Sequence, residues 1–459
     1  MIRLYIQGLT LCCAMFLGSG ALRAQDTTGG PLSVLVDAAS RRLPLLLQKQ
    51  ALVNSAKAGV SFARNSFLPT AEALDQVNMA SANSLPGAYE SFGIIPSVSS
   101  SVRGAQNWQA ASGDIAVLYS QYELVNFGLR KAKVGNAQSL VGVRQADLDF
   151  QTYLLKDQVS KIYFELLKNK YQLAVDQQNI QRYDAVDTVI HALTASGIRA
   201  GVDSSLAQAE RSKARVTYNQ RLGTIAQLTQ QLSYLTGLAP QQVVVDTATR
   251  QNMVPDPGTE TLRNPLLDYY QQQKQYYLSS ETLVKKSYLP KIIVSGGAWG
   301  RGSSIAPDDE TYKNLSSGLG YQRFNYMIGL TFAYNLFDPI HRKDALTEAR
   351  FQTQATDYAL QQQELDLRSA AAQAQEAITE AENNLREIPI QIKAATDAYN
   401  QKIAQYKAGI INLVDLTEAT YVLYSAQISY AETLNSWFLA HLDKATATGS
   451  LNQFIQSIK

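Results

Sequence analysis

The stretch Ala408-Gly409-Ile410-Ile411-Asn412-Leu413-Val414-Asp415-Leu416-Thr417-Glu418-Ala419 has an earlier echo in the same chain. That echo is Ser196-Gly197-Ile198-Arg199-Ala200-Gly201-Val202-Asp203-Ser204-Ser205-Leu206-Ala207. At an offset of 212 residues, five types recur: Gly197 with Gly409, Ile198 with Ile410, Val202 with Val414, Asp203 with Asp415, and Ala207 with Ala419. A glycine just past a helix and an aspartate opening the next are helix-stop and helix-start signals. Each stretch lies between long segments rich in Ala, Gln and Leu. Each therefore reads as a tight turn between two long antiparallel helices, and two such turns at matching places describe a duplicated architecture.

The duplication extends outward. Leu124-Val125-Asn126 falls on Leu336-Phe337-Asp338 at the same offset, with Tyr122 on Tyr334. Earlier in each half the offset is 221: Phe67-Leu68-Pro69 falls on Tyr288-Leu289-Pro290, and Arg42-Leu43-Pro44 on Arg263-Asn264-Pro265. The first half thus carries nine extra residues between Pro69 and Asn126, where an elongated loop is expected.

In the first half, Leu32 to Leu68 reads as helix, interrupted at Pro44 and ended by Leu68-Pro69, because the residue before proline is driven to extended geometry. Thr70 to Ala80 reads as a strand, Ser81 to Gly113 as a long Ser/Gly/Asn/Pro loop, and Ile115 to Val125 as a second strand. A long helix runs from Gly128 to about Ser196. Its residues Leu148, Leu155, Val159, Ile162, Leu166, Leu173 and Ile180 form an a/d seam of the coiled-coil kind. Asp203 to Thr236 returns as helix, and Gly237 to about Thr261 is irregular. Asn126 to Gly197 corresponds to about 105 Å of helix. Two shorter helices stacked end to end would match it.

The second half repeats the pattern. Leu262 to Leu289 is helix, Ile292 to Trp299 strand, Gly300 to Phe324 loop, and Tyr326 to Leu336 strand. On that last strand Tyr326, Ile328, Leu330, Phe332, Tyr334 and Leu336 share an apolar face opposite Met327, Gly329, Thr331, Ala333 and Asn335. This fits a lipid-facing barrel strand, although a soluble sandwich strand has the same alternation. Four strands are too few to close a barrel, so several chains must contribute. Asp338 as N-cap and Pro339 at N1 open a helix running to about Lys407, with a kink expected at Pro389. Asn412 to about Lys444 returns.

The paired Leu-Pro signals, the Leu-x-Asn/Asp strand ends and the paired turns with Asp six residues after Gly resemble, in combination, the TolC family of trimeric outer-membrane efflux ducts. The resemblance covers nearly the whole mature chain. It implies a mostly α fold with a small β part, built from two structural repeats. A long antiparallel α-helical coiled-coil barrel would join a transmembrane β-barrel of four strands per chain, twelve in a homotrimer. The first repeat would span 25–261 with its β-hairpin at about 70–125, and the second 262–459 with its hairpin at about 291–336. The resemblance also implies a passive duct that works with an inner-membrane transporter and a periplasmic adaptor (membrane fusion) protein. The adaptor is expected at the turns Ser196, Gly197, Ile198 and Ala408, Gly409, Ile410. In the family the positions of Asp415 and Glu418 line the narrow periplasmic mouth, and those of Asp203 and Tyr406 take part in links that close it. The prototype has Arg where this chain has Ile411, so closure by packing is expected here. For the carboxylates, helix stabilisation is a compatible reading: Asn412 as N-cap, Asp415 at N3, and acids near a helix N-terminus.

Composition and termini agree with export to the envelope. The 459-residue chain carries a formal net charge of +2, so no nucleic-acid partner is implied. Met1-Ile2-Arg3, an apolar run from Leu4 to Leu17 and small residues ending at Ala24 read as a signal peptide over 1–24. Leu22 departs from the small residue usual at its position. Cys12 and Cys13 are the only cysteines, and Leu11 before Cys12 argues against a lipid anchor. No later segment reaches transmembrane-helix length, so contact with outer-membrane lipid requires a β-barrel. His191, His341 and His441 lack ligand spacing, and no catalytic, phosphate-binding or metal motif is present; neither enzymatic activity nor a cofactor is expected. A secreted structural coiled coil would explain the helices but not the Tyr326–Leu336 face, and a general porin would not need helices about 100 Å long.

Overall fold

A computed structural model describes residues 32–84, 102, 104–197, 201–243, 245, 263–306, 308 and 311–458. The signal peptide, both cysteines, Ile198 and the junction of the two repeats at 261/262 lie outside the described residues.

Helices α1 (Leu32–Arg42) and α2 (Pro44–Asn65) are separated at Leu43, where proline supplies the first position of α2. Strands β1 (Thr70–Ser81) and β2 (Ala110–Val125) follow, then α3 (Leu129–Ala195) and α4 (Gly201–Thr236). The second half has α5 (Pro265–Ser287), β3 (Lys291–Ser303), β4 (Arg323–Ala333), α6 (Asp338–Lys407), α7 (Leu413–Thr448) and a short α8 (Leu451–Ser457). The starts of α2 and α5, and of β1 and β3, recur at 221; those of α4 and α7 recur at 212. Gly237 and Gly449, also 212 apart, both adopt positive φ (68° and 84°) at the ends of α4 and α7. They form a third echo.

The 67 residues of α3 and 70 of α6 correspond to about 100 Å each. The first pair of short helices and α4 lie along α3, α7 lies along α6, and α5 packs between α3 and α6. The main core gathers halfway along α3, because only there do helix ends from both directions surround it. Leu32, Leu166, Leu232, Phe438, Leu442, Leu451 and Phe454 are all buried there. Phe164 and Phe438 stack with centroids 4.9 Å apart and planes 9° apart. Each such side chain contributes about 1.5–3 kcal/mol of hydrophobic stabilisation. The predicted seam is only part of this core: Leu155, Val159, Leu166 and Ile180 are buried, whereas Leu148, Ile162 and Leu173 are half-buried.

The four strands form one antiparallel sheet in the order β1-β2-β3-β4. Three expectations are corrected. The last strand begins at Arg323 and ends at Ala333, leaving Tyr334 and Leu336 beyond it, because Ala333 pairs with Lys291 and Pro290 before it has no N–H to continue the ladder. Asp338 is the first residue of α6 and not its cap; Phe337 holds the cap position without a side-chain bond, and the Asn335 side chain accepts from the Phe337 N–H at 3.1 Å in an Asx turn leading into the helix. Asp203 lies within the first turn of α4, which begins at Gly201. Helix α6 continues through Pro389.

Candidate functional site: a helical tip and an open sheet

At the far end from the sheet, α6 stops at a left-handed glycine. Gly409 (φ 79°) donates to the Tyr406 carbonyl at 3.0 Å, and the Ile410 N–H donates to the Gln405 carbonyl at 2.9 Å, which satisfies two carbonyls the helix end would leave open. Gly197 (φ 75°) makes the matching bond to the Thr194 carbonyl at 3.0 Å. A Cβ at either glycine would meet nothing within 4 Å. Ser196 and Ala408 are exposed beside them, and so are Val202, Ile410 and Val414. The tip thus offers bare backbone flanked by apolar side chains.

Just inside the tip, Val186 and Ile190 of α3, Ala207 of α4, Tyr406 of α6 and Leu413 and Leu416 of α7 form a separate apolar cluster, with Ile411 packed partly against it. Tyr406 is 1% exposed. Apolar contacts from four helices therefore meet beside Ile411. Asn412 caps α7, its side chain accepting from the Asp415 N–H at 2.9 Å. Asp415 is half-buried, Glu418 exposed one turn further on, and Asp203 half-buried on α4.

The sheet has two chemically distinct faces. Phe324, Tyr326, Ile328, Leu330 and Phe332 are 67–84% exposed on one of them. The register places Ile292, Val294, Ala298, Leu118 and Ala73 on that same face. The opposite face carries Glu72, Gln76, Gln121, Glu123, Ser295, Asn325 and Thr331, interspersed with Leu74, Val117, Ile293 and Trp299. Lys291 Nζ pairs with Glu123 Oε1 there at 2.9 Å. Among the described residues β1 pairs only with β2 and β4 only with β3, so both outer edges are open. No described helix is long and apolar enough to cross a membrane, and no described cluster of His, Cys, Asp or Glu could hold a metal.

A ladder of polar contacts joins α7 to α3. Tyr424 bonds Asp176 at 2.8 Å, Arg182 donates to Gln427 at 2.7 Å, Asn435 donates to Glu165 at 2.8 Å, and Thr446 donates to Asp157 at 2.9 Å. Burial, reinforced by the bond to Asp176, holds the Tyr424 hydroxyl well above the ordinary tyrosine range. Sequence reasoning missed this ladder, because its partners lie some 250 residues apart.

Long helical hairpins carry a four-stranded antiparallel sheet, and this architecture is what the comparisons with known proteins match. Residues 261–450 match the family model of the outer membrane efflux proteins. In structure the chain is similar to the Campylobacter jejuni CmeC outer membrane channel, with 14% identity, TM-score 0.72, and 100% of this chain and 98% of that one covered. It is also similar to the outer membrane protein VceC of Vibrio cholerae, with 15% identity, TM-score 0.70, and 91% and 96% covered. A third is the open state of the Neisseria gonorrhoeae MtrE outer membrane channel, with 16% identity, TM-score 0.67, and 98% of each chain covered. No curated protein matches the chain in sequence.

Proposed function

We propose that this chain is one third of a passive outer-membrane exit duct for efflux or type I secretion. The observation that carries the reading is the open, two-faced sheet at the end of helices about 100 Å long. Open edges leave a row of unpaired backbone groups, which lipid cannot satisfy. Three copies, each joining its β4 to the next copy's β1, close twelve strands. The apolar face then meets lipid and the polar face lines the lumen, while the helices reach through the periplasm. The chain contains no motif for an energy source, so drive comes from an inner-membrane transporter. A periplasmic adaptor recruits it at Ser196, Gly197 and Ile198 and at Ala408, Gly409 and Ile410.

The periplasmic aperture forms where three copies of Asp415 and Glu418 converge, with Asp203 beside them. Tyr406 acts from within, holding the tip together through the cluster it shares with Leu416 and Ile190. A ring of carboxylates attracts multivalent cations. Single-channel recording of the purified protein in a planar bilayer tests the reading. Stepwise currents are expected, reduced by a trivalent cation on the periplasmic side. Asp415→Ala with Glu418→Ala should remove that block. Absence of any current step contradicts the duct, and a block that survives the double substitution leaves these acids as helix-stabilising residues alone.

A further inference from the structure

Arg301 on β3 and Arg323 on β4 stand directly opposite one another in the antiparallel ladder. Their register puts both on the polar face, with Asn325 and Thr331 and opposite Tyr326 and Ile328. Both are exposed. They sit at the end of the sheet remote from the helices, where β3 leaves and β4 returns. Like charges directly opposed in an antiparallel pair work against the sheet, so folding alone does not favour this arrangement.

Among the described residues no acid forms an ion pair with either arginine. Arg323 Nη1 donates to the Gln322 carbonyl at 3.0 Å, and among the described residues neither guanidinium meets a carboxylate. Asp308 in the connecting loop accepts from the Thr311 N–H at 3.1 Å and from its hydroxyl at 3.0 Å. Asp75 lies on the apolar face and accepts from the Tyr321 hydroxyl at 3.0 Å. Glu72 and Glu123 share the polar face but stand near its helical end, where Glu123 is paired with Lys291.

We infer that Arg301 and Arg323 form an anion-binding ring at the outer mouth of the duct, taking solutes that bear carboxylate, phosphate or sulfonate groups. The inference rests on the duct reading above. Three copies of two arginines place six guanidinium groups around one lumen. A twelve-stranded barrel holds its backbone on the order of 10 Å from the axis. A solute in the lumen therefore passes within about one Debye length, about 8 Å at physiological salt, of the ring. Screening does not remove the attraction at that range, and the guanidinium fork matches the paired oxygens of these anions. With Asp415 and Glu418 at the other end, the duct is negative at its entrance and positive at its exit.

The test is single-channel recording with inorganic tripolyphosphate added to both sides of the bilayer. Tripolyphosphate should reduce the current. Arg301→Gln with Arg323→Gln should raise its half-blocking concentration about tenfold or more and shift the reversal potential in a KCl gradient towards cation selectivity. Arg301→Lys with Arg323→Lys keeps the charge and should keep the block, which separates loss of the ring from loss of the barrel. Normal channels whose block is unchanged by the glutamine pair overturn the ring and leave the duct standing. Failure of the unaltered protein to form channels overturns both.

Discussion

The Tyr424 hydroxyl of α7 donates to Asp176 Oδ1 of α3 at 2.8 Å, while Arg221 Nε of α4 donates to the other oxygen of the same carboxylate, also at 2.8 Å. Arg221 also reaches Gln172, whose amide donates to Glu432 at 3.3 Å. One carboxylate, its side chain 1% exposed, thus ties three helices together in the middle of the helical part. Removing one partner of such a buried pair strands the other charge. Asp176→Ala should destabilise the protein by about 3–5 kcal/mol. Asp176→Leu with Arg221→Met should recover much of that loss. Thermal unfolding followed by far-UV circular dichroism checks both, and an unchanged Tm for Asp176→Ala would count against the junction.

Alkaline pH should loosen the same region. Burial, and then the negative charge of Glu210, pushes the Tyr183 hydroxyl up to about 12, and burial raises Tyr153 and Tyr424 as well. The folded protein holds these protons more tightly than the unfolded chain, whose tyrosines titrate near pH 10. Their contribution is fully present below about pH 10 and is lost as pH rises towards the folded value. Tm should therefore fall between about pH 10 and 12, and Tyr183→Phe should flatten that fall. An equal slope in the variant would exclude Tyr183 as a source.

The two faces of the sheet make opposite predictions. Ile328→Arg puts a charge on the apolar face and should cost about 2–4 kcal/mol if that face meets lipid near the bilayer midplane. Thr331→Arg, on the polar face, should be tolerated. Quantifying assembled protein in outer-membrane fractions compares them, and equal yields would mean that the exposed aromatic and aliphatic face does not meet lipid.

The turn glycines should matter for docking more than for folding. At Gly197 and Gly409 a valine side chain enters open space, so its cost is backbone strain of about 1–3 kcal/mol per site, confined to the tip. Gly197→Val with Gly409→Val should abolish export while leaving the amount of assembled protein in the membrane unchanged. Export at the normal rate would remove the turns from the adaptor's footprint.

Much of the architecture could be read from local signals. The Gly409 stop and the Asn412 cap are short-range chemistry and stand where the sequence placed them, and α5 ends at Ser287, just short of the Leu289-Pro290 signal. The last strand was misplaced because Tyr334 and Leu336 continue the alternation past the point where Pro290 ends the ladder. The Asp338 cap was misplaced by one residue, since Pro339 is tolerated at either of the first two helical positions and does not by itself fix where α6 begins. The third glycine echo, Gly237 with Gly449, was available at the same offset. Asp176 with Tyr424, and Arg301 opposite Arg323, were not, since one depends on helix packing and the other on strand register. The tip residues were individually legible, but the burial of Tyr406 among Val186, Ile190 and Leu416 emerges only from four helices meeting.

The central claim is that three copies close one barrel. Native mass measurement of the full-length protein in detergent tests it most directly. The account predicts a single species of three copies, since a four-stranded sheet with two open edges satisfies its outer strands by joining other copies and the proposed barrel has twelve strands. A stable monomer in detergent, with its sheet intact, would contradict it.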